Sequence, residues 1–295
     1  MSIKIVTDTG MDLTSELIEK YDIEVLNILI NDGEEEYSKG EINSDKLFED
    51  MKAGKVYRTS QVSSFDYRNC FEKYAKEKRE LISISLSSGL SGSYEQSVKI
   101  KEEVLQKYPD AKIHTVDSRS ATYGQGLVVV KAAKMAKDGK DAAYILDNVE
   151  KIKTGVKHIF SVNDLSYLVR GGRVSKGAAA IGSLLNIRPL MEIDPNGKLV
   201  PREKVRGDKN LLKKITDKYL ETYEKTAGDQ SVFIAYGDDD SFARKIKDTI
   251  VEKSSADPKT IILGQVGVVI GAHTGPGFIG LFYVDEIFNE GFDLV

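Results

Sequence analysis

The sequence predicts an α/β protein in two parts, an N-terminal α/β domain on a parallel sheet and a C-terminal α+β domain with a mixed or antiparallel sheet. Three observations lead there. In the first half, short runs rich in Val and Ile alternate with longer amphipathic segments, the pattern of strands joined by covering helices. Small polar residues collect where those runs stop, at Asp8, at Ser85 to Ser88 and at Asp117, and the carboxyl edge of such a sheet is where ligands bind. Beyond about residue 155 the rhythm changes, and Asp194-Pro195-Asn196-Gly197 separates two alternating runs as the turn of an antiparallel hairpin.

Taken in order, IKIVTD (3–8) and EVLNILI (24–30) read as strands. AGKVYR (53–58) reads as exposed, and TSQVS (59–63) leads into the helical FDYRNCFEKYAKE (65–77). Ser63 or Ser64 can cap that helix, which leaves Thr59 and Ser60 as loop hydroxyls. ELISISL (80–86) is a strand, LSSGLSGSYEQS (86–97) its turn into the helix VKIKEEVLQKY (98–108), and KIHTVDS (112–118) the next strand. A helical pattern from Asp141 bridges the parts, giving domains 1–154 and 155–295. The second contains HIFSV, IRPLMEI, KLVPREKV, a helix from about 208, SVFIAYG, a further helix, IILGQVGVVIGAH and GFIGLFYV, then DEIFNEGFDLV (285–295) as an exposed tail.

With 41% apolar and 30% charged residues in 295, the chain can build real cores. A single cysteine, Cys70, rules out an intramolecular disulfide framework. No basic, apolar leader opens the sequence, and a reducing, cytoplasmic setting is expected. No run approaches the ~18–20 apolar residues of a membrane span; GAAAIGSLL (177–185) is short and glycine-broken. The net charge of −4 hides a basic span, because Arg170 to Lys214 holds eleven Lys or Arg against four Asp or Glu. That span is either a solvated surface or a docking face for an anionic group or acidic partner. It contains no Phe, Tyr or Trp for bases to stack on, which argues against nucleic acid.

The serine-rich turn invites three chemical tests. Ser93 with Gln96 fits a capping box, whereas Ser91 has no such duty and sits where exposed amides and the helix dipole favour an anion. Gly89 and Gly92 allow close backbone approach; the ordinary alternative is a set of tight-turn serines satisfying their own loop. A phosphate-binding loop fails, since the first lysine after these glycines is Lys99. A nucleophile elbow is near but broken, with Ser93 where the last glycine belongs. A base exists in principle. His114 and His158 lie in strand-like runs, but His273 lies in the glycine-rich GAHTGPG. A serine acyl hydrolase using Ser91 and His273 therefore stays open, with only Asp117 or Asp238 to suggest as orienting acid. His, Cys and carboxylates do not cluster at metal-ligand spacing, so no metal is expected.

The chain resembles the DegV family of bacterial fatty-acid-binding proteins. The matching segments are IVTDTGMDL (5–13), TSQ (59–61), ISLSSGLSGSY (84–94), VDSRSATYGQG (116–126), LVRGGRVS (168–175) and AHTGPG (272–277), in the family's order. The resemblance implies two α/β domains with one long-chain fatty acid buried between or beneath them and no other cofactor. It assigns the ligand carboxylate to Thr59 and Ser91 with His273 nearby, and Ser60, Gly92 and Thr274 to the pocket loops. It further implies a non-enzymatic carrier that presents the carboxylate to a separate fatty acid kinase. The acyl phosphate then feeds phospholipid synthesis, with possible transient contact at a membrane surface. Arg170, Arg173 and Arg206 are the implied kinase contacts. Thr9, Gly10, Met11 and Val62 depart from the family's usual serine, threonine, serine and proline.

Overall fold

The computed structural model describes residues 3–37, 40–175, 177, 186–226 and 231–285. Apart from Gly177, GAAAIGSLL lies outside the described residues, as does the expected tail from residue 286.

The first sheet contains β1 (Lys4–Asp8), β2 (Glu24–Leu26), β6 (Leu81–Ser85) and β7 (Ile113–Asp117) in the order β2-β1-β6-β7. Every pairing is parallel. β1 and β6 are buried along their whole length, which is why their sequences are nearly unbroken in apolar character. Asp8 is fully buried at the end of β1, where its carboxylate accepts from Leu86 N at 2.8 Å, Gly10 N at 3.0 Å and Gln125 Nε2 at 3.1 Å. Asp117 accepts from Ser88 N at 3.1 Å and from its hydroxyl at 2.6 Å. Both carboxylates thus pin loops to the carboxyl edge.

EVLNILI is not one strand. Glu24–Leu26 pairs with β1, but Ile30–Asn31 forms β3 of a small antiparallel sheet with β4 (Glu36–Tyr37) and β5 (Arg58–Thr59). Between them, Ile28 N donates to Thr9 Oγ1 at 2.8 Å and Leu29 N to Ser60 Oγ at 3.2 Å. Side chains take the amides that a continuous strand would give its neighbour. Thr59 accordingly ends a strand rather than lying in a loop.

The second sheet contains β8 (Val156–Ser161), β9 (Ile187–Ile193), β10 (Leu199–Arg206), β11 (Val232–Tyr236), β12 (Ile261–Gln265) and β13 (Ile279–Val284), ordered β10-β9-β8-β13-β11-β12. All its neighbours are antiparallel except β11 and β12, so the sheet is mixed. The turn Asp194 to Gly197 closes the β9–β10 hairpin with Gly197 N bonded to Asp194 O at 2.8 Å. Helices α8 (Asp208–Thr226) and α9 (Ser241–Lys253) pack on this sheet over a separate apolar core. Helix α5 (Thr122–Lys137) touches β1 of one sheet and β8 and β13 of the other. It is buried nearly all round, as a helix sealed between two layers must be.

One cap differs from expectation. Ser63 Oγ accepts from Asp66 N at 3.0 Å and caps α3 (Ser64–Lys76), but α4 (Ser93–Lys107) has Gly92 as its N-cap and no side-chain cap bond. Ser93 is fully buried, and its hydroxyl accepts from Val62 N at 3.3 Å. Its own amide goes to Ser91 Oγ at 3.2 Å. The Ser93–Gln96 capping box therefore does not form: a neighbouring loop's amide claims Ser93, and Ser91 takes the helix amide instead.

The serine turn also carries the hairpin of the second sheet. Ser87 Oγ donates to Gly197 O at 2.8 Å, and a Cβ on Gly89 would sit 2.6 Å from Gly197 O. A Cβ on Gly92 would meet only the flexible end of Gln61, 2.2 Å from Oε1. Gly89→Ala is therefore expected to lower stability by about 1–3 kcal/mol in denaturant unfolding, and Gly92→Ala by clearly less. Equal losses would contradict the docked hairpin.

Candidate functional site

Loops of the first half and strands of the second sheet, with α5 and two short helices, line an apolar cavity holding about 650 Å³ of space unfilled by protein atoms, part of it open to solvent. Its walls include Ile28, Leu86, Leu90 and Ala121 from the first half and Phe160, Ile193, Leu199, Phe278 and Phe282 from the second. Leu168 comes from α7 (Ser166–Arg170), and Val269 and Ile270 from α10 (Val268–Thr274). Alternate strand residues share a face, so Phe160 and His158 of β8, paired with Gly280 and Phe282 of β13, make one continuous floor.

Polar groups gather where α10 and α7 meet the loops of the first half. Thr59 Oγ1 lies 2.7 Å from His273 Nε2, and Ser60, Ser91, Arg173 and Thr274 line the same cavity. Ser91 Oγ is 3.0 Å from Ser93 Oγ. Arg173 donates from Nε to Leu90 O at 2.9 Å and from Nη1 to Gly171 O. A Cβ on Gly171 would come within 2.3 Å of His273 Nδ1, so this glycine of Arg170-Gly171-Gly172-Arg173 exists to let the imidazole approach.

Helix α10 is held at both ends. At its start, Gly267 N donates to Asp12 Oδ1 at 3.0 Å while Thr122 Oγ1 donates to Asp12 Oδ2 at 2.6 Å. Burial pushes the Asp12 carboxyl up to about 7 against those two donors. Just past its end, Gly277 N donates to Asp238 Oδ1 at 2.7 Å, and Gly277 O accepts from Arg188 Nη2 at 2.8 Å. These contacts fix the direction in which His273 points.

Not every candidate reaches the cavity. Gly92 lies beside it, making room for Gln61. Arg170 is exposed, its guanidinium 5.4 Å from the centre of the Tyr167 ring, and Arg206 is exposed on β10. Part of the basic span is paired on the surface, as in Arg202–Glu192 at 2.8 Å and Lys214–Glu203 at 3.0 Å. His158 and the strand aromatics escaped sequence reasoning, although the alternation in HIF and FIGLF was a usable signal. Among the described residues no cluster could hold a metal ion, and no helix is long and apolar enough to cross a membrane.

The family model described as "Uncharacterised protein, DegV family" matches residues 2–286. The chain belongs to the DegV family. A DegV domain-containing protein of Clostridium perfringens is 38% identical over 285 residues, covering 96% of this chain and 97% of that one. The solved DegV of Bacillus subtilis, a fatty-acid-binding protein, superposes with a TM-score of 0.83 at 28% identity, over 96% of this chain and 99% of its own. A stearic-acid-binding protein of Eubacterium ventriosum gives 0.84 at 25% identity, over 96% of this chain and 98% of its own. The DegV fold is thus shared over nearly the whole length.

In this DegV-family site both cavity histidines are neutral at pH 7. Burial pushes His158 down to about 3. Burial first, then the Arg173 guanidinium, pushes His273 down to about 4. As pH falls through about 6.5 the unfolded chain binds a proton at this residue, whereas the folded one waits until about 4. Folded stability is therefore lost across that window. Lipid-free wild type is expected to lose about 2 kcal/mol more than His273→Gln between pH 7.5 and 5, read from denaturant midpoints. Parallel losses would mean that His273 titrates normally.

Proposed function

We propose that this protein binds one long-chain fatty acid in the cavity, acyl chain among the aromatic and aliphatic walls and carboxylate at the Thr59, Ser91 and His273 end. The observation that carries the reading is an apolar cavity in which Thr59, Ser60, Ser91, His273 and Thr274 meet at one end, with only Thr122 and His158 as polar residues elsewhere in its described lining besides Arg173. Burying about a dozen methylenes supplies roughly 10 kcal/mol before ordering costs. The head group is affordable only with hydrogen bonds, each contributing about 1.5–3 kcal/mol when one partner is charged. For Thr59 to aim its hydrogen at a carboxylate, His273 Nε2 must carry the proton and donate to Thr59 Oγ1. His273 is then the residue that orients Thr59. Fatty-acid binding by the Bacillus subtilis and Eubacterium ventriosum relatives supports the same class of ligand.

The second part of the proposal is the role of the bound acid. The protein acts as a carrier without catalysis of its own, and a separate fatty acid kinase phosphorylates the presented carboxylate for phospholipid synthesis. The family resemblance supports this, together with two exposed arginines, Arg170 and Arg206, available as kinase contacts. The competing serine hydrolase is disfavoured by geometry. His273 bonds Thr59 and Ser91 bonds Ser93, and among the described residues no carboxylate hydrogen bonds to His273, so the relay of a nucleophile, a base and an acid is missing.

Thr59→Ala with Ser91→Ala is expected to weaken hexadecanoic acid binding to the delipidated protein at least about 100-fold, measured by calorimetry. Unchanged affinity would discard the head-group assignment. Arg170→Ala or Arg206→Ala should keep the lipid affinity of wild type and slow acyl phosphate formation by the kinase. Loss of lipid binding in either would remove the distinction between pocket and docking surface.

A further inference from the structure

Of the described residues lining the cavity, His158 is the one with a buried polar atom that lacks a hydrogen-bond partner, its Nε2. The residue is 6% exposed, but the cavity is narrow, and wall residues such as Leu168 and Phe282 are only 1% exposed. The Val156 backbone hydrogen bonds the imidazole and favours its protonated form, as a carbonyl acceptor does. With Nε2 unpartnered, that bond falls to Nδ1, which must carry the ring proton. Nε2 is therefore a bare acceptor. The ring is fixed on two further sides. A Cβ on Gly124 would fall 2.1 Å from Nε2, and the Phe282 ring meets the imidazole edge-on, 5.7 Å between centres and 88° between planes. Ala121 and Thr122, at the start of the helix that carries Gly124, line the cavity, so the acceptor sits at the seam of α5 and β8. The Thr122 hydroxyl is already given to Asp12. A buried acceptor without a donor is costly, and a phenylalanine or leucine here would complete the apolar floor without that cost.

We infer that His158 Nε2 receives a hydroxyl carried on the acyl chain, so that the cavity accepts fatty acids hydroxylated away from their carboxyl group. This rests on the fatty-acid reading above and adds a second polar contact to it. The ladder between β8 and β13 gives the position. Ser161 pairs with Ile279 at the end nearest α10, and His158 pairs with Phe282 three residues further along, about 10 Å deeper at the rise of a strand. A hydroxyl beside the carboxylate is therefore too shallow to reach Nε2, whereas one in the middle of the chain lies at the right depth. An unmodified chain offers only methylenes there, and the acceptor stays bare.

The test measures, by calorimetry on delipidated full-length protein, the affinities of octadecanoic acid and of its monohydroxy isomers with the hydroxyl at each mid-chain carbon or next to the carboxyl group. In wild type at least one mid-chain isomer should bind within about threefold of octadecanoic acid, and in His158→Phe that isomer's affinity relative to octadecanoic acid should fall about 10-fold. The relative affinity of the isomer hydroxylated next to the carboxyl should be the same in both proteins. Nitrogen NMR of wild type gives a readout that does not depend on the variant's folding: the Nε2 resonance of His158 should shift with the mid-chain hydroxy acid and not with octadecanoic acid. A wild type that binds every mid-chain isomer at least about 10-fold more weakly than octadecanoic acid would overturn the inference. So would equal relative affinities in His158→Phe, or an Nε2 resonance that is the same with both ligands, and in each of these cases fatty-acid binding itself stands. If wild type does not bind octadecanoic acid, the fatty-acid reading fails and the inference falls with it.

Discussion

The 2.7 Å contact between Thr59 and His273 joins two parts of the chain 214 residues apart, and the site depends on it. Thr59 ends a two-residue strand of the small sheet, and His273 lies in the last turn of a seven-residue helix between β12 and β13 of the second sheet. Neither element is long enough to hold its side chain unaided. Asp12, Asp238 and Arg188 therefore fix the backbone on either side of His273, and Leu29 and Ser60 exchange hydrogen bonds beside Thr59. The cavity needs walls from the loops at the carboxyl edge of the first sheet and from strands of the second, so correct docking of the two is a condition for any ligand site at all.

That docking explains residues whose roles would otherwise look local. Gly89 belongs to the serine turn, but its missing side chain accommodates the β9–β10 hairpin. Gly171 belongs to the arginine-glycine motif, but its missing side chain accommodates an imidazole. Ser93 gives up the helix cap to satisfy Val62 N, and Ser91 fills the vacancy while lining the cavity. A near-miss to a nucleophile elbow thus becomes a hydrogen-bonding surface. His273, kept neutral by burial and by Arg173, is hydrogen bonded to the Thr59 hydroxyl, and its lowered pKa makes it a weak general base.

The strands at 4–8, 81–85 and 113–117 and the Asp194 to Gly197 hairpin were legible because each rests on local pattern: an apolar run with a polar stop, or a turn sequence between alternating runs. The small sheet was not legible. EVLNILI has the composition of a single strand, and what divides it is Thr9 and Ser60, hydroxyls distant in sequence. The Ser93 cap failed for the same reason, since its competitor is an amide 31 residues away. Composition marked the Arg170 to Lys214 span as basic without revealing that Arg173 turns inward while Arg202 and Lys214 pair with neighbouring acids. Motif and periodicity name the residues; tertiary contacts decide which way they face.

A cavity of this kind implies a definite occupant, and the most direct measurement is to purify the protein natively and identify by mass spectrometry what organic extraction releases. The account predicts close to one long-chain fatty acid per chain, carrying a free carboxyl group. An extract without fatty acid, from protein that also fails to take up added hexadecanoic acid, would contradict it.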